Sequence, residues 1–150
     1  MKSHNYYMSL ALNQAKEAYE QGEVPIGAVI VHEGKVIAVA RNEREELNQA
    51  IAHAEVLAIQ KANKVLNSWR LDTCTMYVTI EPCPMCAGSI IQSRIKNIYY
   101  GAKDQKSGSH TSVINLFDQP FNHQVNVHGG ILEKECSEIM TSFFQKLRKK

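Results

Sequence analysis

Two short segments of this chain carry residues that bind metals and move protons: His53-Ala54-Glu55 and, about thirty residues on, Pro82-Cys83-Pro84-Met85-Cys86. Imidazole and thiolate together suit Zn²⁺. Cys83 and Cys86 fall at the start of a predicted helix, where the peptide dipole and free N–H groups favour the metal-binding thiolate. A Cys₂His₂ structural site would want a second His three to five residues after the first, and positions 56–58 are Val-Leu-Ala. Three ligands, His53, Cys83 and Cys86, with an open fourth position describe a catalytic zinc that carries a water. Two thiolates and one neutral imidazole balance the metal charge, and the water is acidified toward neutral pH. Glu55 lies two residues from a ligand, so its carboxyl can reach that water without binding the metal, take its proton and pass it on. The competing readings are a redox dithiol and a structural zinc. A lone C-x-x-C or a lone His-x-Glu is common; both together, each at a helix start, favour catalytic zinc.

The elements that must hold these residues follow from periodicity. Met8, Ala11, Leu12, Ala15, Ala18 and Tyr19 keep helical spacing, and Gly22 is a stop. Residues 26–32 and 35–41 are β-rich runs around Glu33-Gly34, a hairpin signal. Residues 42–49 are polar and read as a loop. Residues 53–66 have helical spacing, 75–80 read as a buried strand, and 84–92 as a helix with Pro84 in its first turn. A short strand at 98–101 precedes a stretch, 102–124, that is mostly loop with an apolar patch at 113–117. A strand at 124–128 and an amphipathic helix at 132–147 complete the chain. Strands alternating with helices argue for an α/β layered fold, and 150 residues for a single domain over residues 1–150.

With 44% hydrophobic and 21% charged residues the chain is not of the disordered class. No apolar run approaches the roughly 20 residues of a membrane span, and the polar N-terminus lacks a secretory h-region. The expectation is a soluble, cytoplasmic protein without a membrane partner. Four cysteines, Cys74, Cys83, Cys86 and Cys136, do not make a disulfide scaffold. Charge is uneven: residues 93–150 hold 9 Lys+Arg against 5 Asp+Glu, with Lys146, Arg148, Lys149 and Lys150 at the very end. Such an end is either a nucleic-acid footprint or a solvated helix terminus, where cations also suit the dipole. His4, His32, His110 and His128 have no second metal-type residue at ligand spacing.

The paired motifs match the H-x-E…P-C-x-x-C signature of the zinc deaminases, and the chain resembles the cytidine deaminase-like superfamily. From about residue 6 to 148 it is more narrowly similar to the bacterial tRNA adenosine deaminases. The segments that carry this are Gly22-Glu23-Val24-Pro25-Ile26-Gly27-Ala28, Asn42, Asn67-Ser68-Trp69-Arg70-Leu71 and Tyr77-Val78-Thr79-Ile80-Glu81-Pro82-Cys83. They continue with Ser93-Arg94-Ile95, Gly101-Ala102-Lys103-Asp104, Phe121-Asn122-His123, Gly130-Ile131-Leu132 and Phe143-Phe144. The resemblance implies a three-layer α/β/α sandwich with a five-stranded mixed sheet. It also implies one zinc per subunit, a homodimer with active sites near the subunit interface, and a tRNA anticodon stem-loop as substrate.

The reaction so implied is attack of an activated water on C6 of a wobble adenosine, with Glu55 shuttling protons to N1 and then to the departing amine. Asn42 would hydrogen-bond the purine edge; otherwise it is a turn Asn. Backbone N–H groups of Ala54 and Cys83 are candidates to orient the substrate or the tetrahedral oxygen. Val24, Pro25 and Ile26 would wall the pocket, or else serve strand and core. Asp104 would meet the ribose of the preceding nucleotide, or else make a turn. Phe143, Phe144 and Arg148 would contact the anticodon loop, with Lys146, Lys149 and Lys150 drawing phosphates. Adjacent phenylalanines point about 100° apart on a helix, so one can pack in the core while the other stacks. Asn122 and His123 are further contacts, His123 equally a structural histidine. The chain departs from the family at Gln49-Ala50-Ile51-Ala52, where a Pro-Thr or Pro-Ser pair is usual, and at Ser109-His110-Thr111-Ser112. Pro84 replaces a frequent Val, and Pro-Cys-Pro-Met-Cys occurs also in guanine deaminases.

Overall fold

Five strands form one mixed sheet in the computed structural model, which describes residues 2–149. β1 (Gly27–His32) and β2 (Lys35–Arg41) pair antiparallel across the expected turn, where Glu33 and Gly34 both take positive φ, 50° and 78°. Tight two-residue hairpins need that backbone to match the strand twist. β3 (Cys74–Ile80) pairs antiparallel with β1, while β4 (Asn97–Ala102) and β5 (Asn126–His128) continue in parallel, giving the order β2-β1-β3-β4-β5. Parallel neighbours need a crossover helix. Between β3 and β4 that helix is α4 (Pro84–Gln92), so the C-terminal ends of both strands, Ile80 beside Ala102, open at the same edge.

The central strands are apolar on both sides. Ala28 and Ile30 of β1 and Met76 and Val78 of β3 join a core with α3 (Ala54–Leu66) and α4. Val29, Val31 and Tyr77 join a second core with α1 (His4–Glu20) and α5 (Glu133–Arg148). The architecture is the three-layer α/β/α sandwich that the resemblance implied. Gly27 lets α1 lie directly on β1, since a Cβ there would overlap the Ala11 carbonyl oxygen and stand 2.7 Å from the Ala15 nitrogen. Among the described residues no helix is long and apolar enough to cross a membrane.

The structure differs from the sequence reading at the 42–49 loop, where Arg44–Leu47 closes a single helical turn, α2. Its own N-cap position, Glu43, supplies no side-chain cap. The cap comes instead from the buried Glu23 carboxylate, which accepts the N–H groups of Glu45 at 3.1 Å and Glu46 at 2.7 Å. These are the orphan donors every helix start exposes. β5 is also shorter than expected, beginning at Asn126 rather than 124. Within the apolar patch, Phe117 is buried on a 3₁₀ turn, Leu116–Asp118.

Because the Gly27 contact is with backbone, it cannot relax by a rotamer change. Gly27→Ala is expected to cost about 3 kcal/mol, read as a lowered thermal unfolding midpoint; an unchanged midpoint would contradict the close seating of α1.

Candidate active site

Two helix starts meet at the open edge of the sheet. His53 is the N-cap of α3 (φ −81°, ψ 150°) and Cys83 the N-cap of α4 (φ −75°, ψ 171°), with Pro84 next and Cys86 in the first turn. His53 Nδ1 lies 3.5 Å from Cys86 Sγ and 3.7 Å from Cys83 Sγ. The three ligand atoms are within 4.8 Å of one another, and no other group of three His, Cys, Asp or Glu side chains converges so among the described residues. A tetrahedral ion holding nitrogen at ~2.0–2.1 Å and sulfur at ~2.3 Å separates the two by about 3.6 Å. The donor set therefore fits zinc in both chemistry and spacing.

The three groups of the trio perturb one another. The hydrogen bond from Cys86 holds the Cys83 thiol well down, to about 4, helped by His53, and Cys86 is pushed up in step. The same Cys83 contact raises His53. Glu55, in the first turn of α3, is buried, and that burial pushes its carboxyl up to about 7. Its Oε1 has no hydrogen-bond partner, and neither has Oδ1 of the buried Asn42, whose Nδ2 points to the Val24 carbonyl at 3.5 Å. Among the described residues no other buried side-chain nitrogen or oxygen is left unpaired. A buried orphan polar atom costs about 1–3 kcal/mol. Here both line one cleft of about 610 Å³, which marks it as a place where a ligand completes the bonding.

One carboxylate organises the far wall of that cleft. Glu81, buried at the end of β3, accepts the N–H groups of Asp104 (3.1 Å), His110 (2.8 Å), Thr111 (2.9 Å) and Ser112 (3.2 Å), together with the Ser112 hydroxyl. Burial pushes its pKa up, but these hydrogen bonds outweigh it and hold the group below the usual carboxylate range. Gly108 packs on the carboxylate; a Cβ there would stand 2.5 Å from Oε1. Ser109 donates its hydroxyl to the Pro82 carbonyl at 2.6 Å, so the 104–112 loop is tied to the cysteine turn itself.

The MafB19-like deaminase family matches residues 2–148. The chain belongs to this deaminase family. It is 49% identical to a tRNA-specific adenosine deaminase of Bacillus subtilis, over all of this chain and 94% of that one. A solved structure from a study of A-to-I editing by tRNA:A34 deaminases at the wobble position is 45% identical with a TM-score of 0.88, covering 91% of this chain and 99% of the other. A guanine deaminase of Bacillus subtilis is 33% identical with a TM-score of 0.66, covering 99% and 96%.

Within this deaminase the residues expected at the substrate are divided. Val24, Ile26, Asn42, Ala54, Asp104, Phe144 and Arg148 line the cleft with His53, Glu55 and Cys83. Pro25 is buried and is not part of the lining. Phe143 is buried and meets Tyr19 edge-on at 5.6 Å, so it fastens α5 to α1 while its neighbour Phe144 faces the cleft. Asn122 is exposed and outside the cleft. His123 is also outside, its Nε2 2.7 Å from the Ile95 carbonyl, which ties the loop to the start of β4. The Asp104 carboxylate accepts the N–H groups of Lys106 and Ser107 and the Ser107 hydroxyl, and so closes its own turn. Lys146 lies over the Tyr19 ring at 5.7 Å and Lys149 is exposed; Lys150 lies outside the described residues.

Sequence reasoning missed Glu81 as an anchor and Arg44 as a lining residue. The signal for Glu81 was its place in Glu81-Pro82-Cys83, but its partners are more than twenty residues away. Glu81→Gln is expected to lose about 2–3 kcal/mol at neutral pH. A carboxylate with a lowered folded pKa contributes stability above its unfolded pKa and loses it as pH falls through the folded one. The gap between the two proteins in thermal melts should therefore close in acid; a gap constant with pH would contradict the assignment.

Proposed function

We propose that this chain, as one deaminase domain over residues 1–150, hydrolyses adenosine to inosine at the wobble position of a tRNA anticodon, with one zinc held by His53, Cys83 and Cys86. The observation that carries this reading is the buried, unpaired Glu55 carboxyl beside those three ligands. Zinc bound there supplies Lewis-acid activation of a water. Glu55 takes one proton of the attacking water and delivers it to N1 of the adenine ring, then carries the second, from the hydroxyl now on C6, to the amine that leaves as ammonia. Burial that lifts Glu55 to about 7 suits a group that must both accept and give a proton near neutral pH. Asn42, steadied by the Val24 carbonyl, holds an edge of the base, and the N–H groups of Ala54 and Cys83 orient the developing oxygen.

The base must be splayed from a loop to enter such a cleft. Phe144 offers it or a neighbour a stacking face, Asp104 flanks the preceding ribose, and Arg148, Lys146 and Lys149 draw phosphates. A homodimer is part of this reading; the side chains of Ile51, Val65, Val113 and Ile114 are exposed and free to take part in such an interface. A tRNA substrate supports a cytoplasmic location. A second reading, a guanine deaminase, is favoured by Pro-Cys-Pro-Met-Cys and by the 33% identical relative.

Mass spectrometry of nucleosides after incubation with an anticodon stem-loop carrying a wobble adenosine separates the two, with guanine, cytidine and free adenosine in parallel. Inosine from the stem-loop alone is expected; consumption of guanine instead would overturn the substrate. Glu55→Ala should retain zinc and fold yet lose turnover by about 10²–10⁴-fold, and full activity in that variant would refute the proton shuttle.

A further inference from the structure

Asn42 holds an orphan oxygen in the cleft, yet its own side chain does little to aim it. Its one hydrogen bond, from Nδ2 to the Val24 carbonyl, is 3.5 Å long, and Oδ1 has no partner. A contact of that length is weak. The aim must come from the backbone on either side. Upstream, the Asn42 N–H donates to the Ile26 carbonyl at 3.1 Å and continues the β1–β2 ladder. Downstream, the Glu43 N–H donates to the Ala52 carbonyl at 3.0 Å, next to His53, and the chain enters α2.

α2 cannot hold itself in place. It is four residues long, and none of them is buried. A single turn with no buried face has neither the length nor the packing that stabilises a helix. No proline stiffens residues 42–52. On the outer side Arg41 pairs with Glu43 at 3.7 Å and with Glu46. Partly exposed ion pairs contribute little. The anchor that reaches the interior is Glu23, which is 1% exposed. Its N–H donates to the Ala18 carbonyl at 2.9 Å, so its backbone is fixed to the end of α1. Its two oxygens take the N–H groups of Glu45 and Glu46, one each. Hydrogen bonds to an ionised acceptor are about twice as strong as neutral ones.

We propose that Glu23 is a positioning residue for base recognition: it clamps α2 so that Asn42 is held ready for the purine edge before the substrate arrives. The inference rests on the reading of Asn42 as a group that binds the base. Glu23 is not part of the cleft lining, so it acts through Asn42. Without the clamp, residues 42–47 sample other conformations, and only the fraction with Asn42 in place binds. A smaller competent fraction raises KM by its inverse and leaves the bound complex as it was.

The test is steady-state kinetics of the zinc-loaded full chain on an anticodon stem-loop with a wobble adenosine, arranged as a double-mutant cycle of Glu23→Gln and Asn42→Ala. Glu23→Gln removes the charge and one acceptor at nearly constant volume. It is expected to raise KM about tenfold, the order of effect of a lost charged cap, with kcat unchanged. In the Asn42→Ala background the same substitution should alter KM by no more than about twofold, because the group it positions is gone. Hydrogen exchange supplies a readout apart from activity: the Glu45 and Glu46 amides should exchange about tenfold faster in Glu23→Gln, while those of α3 stay protected. A lowered melting midpoint with KM unchanged, a fall in kcat at constant KM, or equal effects in both backgrounds would overturn the positioning role. If Glu23→Gln does not fold, Glu23→Asp carries the same comparisons, since it keeps the charge and withdraws it by one methylene. If the stem-loop yields no inosine while guanine is consumed, the substrate reading fails, and the cycle run on guanine still decides the role of Glu23.

Discussion

The site depends on two helix N-termini being aimed at one point. A helix start presents unsatisfied N–H groups and the positive end of its dipole, which favours anionic sulfur and leaves an N-cap side chain free to turn inward. Here the N-caps of α3 and α4 are themselves ligands, His53 and Cys83, and neither side chain caps its own helix. Their 3.7 Å approach fixes where a cation must sit, and Glu55, in the same first turn as the histidine, follows from it. The sheet supplies the aim. Parallel β3 and β4 end together, so the cysteine turn emerges beside Ala102 and the loop that closes the cleft.

Two buried carboxylates, Glu23 and Glu81, then hold the rims. Each accepts backbone N–H groups from a segment distant in sequence, Glu45 and Glu46 in one case and residues 104–112 in the other. A buried carboxylate is costly unless its oxygens are well bonded. Loops that must leave a cleft open cannot fasten themselves with an apolar core, and these charge-assisted bonds take that place. The result is a cleft whose edges are rigid while Glu55 and Asn42 keep an unpaired oxygen apiece inside it.

Much of this was legible in the chain because it was local. Helical spacing located α1, α3, α4 and α5, the Glu33-Gly34 turn located the hairpin, and the two motifs located the metal ligands. What escaped was non-local. Nothing between 42 and 49 announces a helical turn, since its cap is Glu23. The division of labour between Phe143 and Phe144 was foreseen as a consequence of their angular separation, but which one is buried depends on Tyr19 of α1. His123 and Asn122 entered by resemblance, and the bond to Ile95 that occupies His123 has no local signature. Trp69 and Arg94 entered only within segments that carry the resemblance, and only the fold brings the two together.

The central claim is an open metal position beside a free carboxyl, and zinc K-edge X-ray absorption on the purified, untreated protein tests it most directly. One zinc per chain is expected, with two sulfur scatterers, one imidazole and one further light atom that exchanges when a substrate-like purine ligand is added. No retained zinc, or a shell completed by a fourth protein ligand that no purine perturbs, would contradict the catalytic reading.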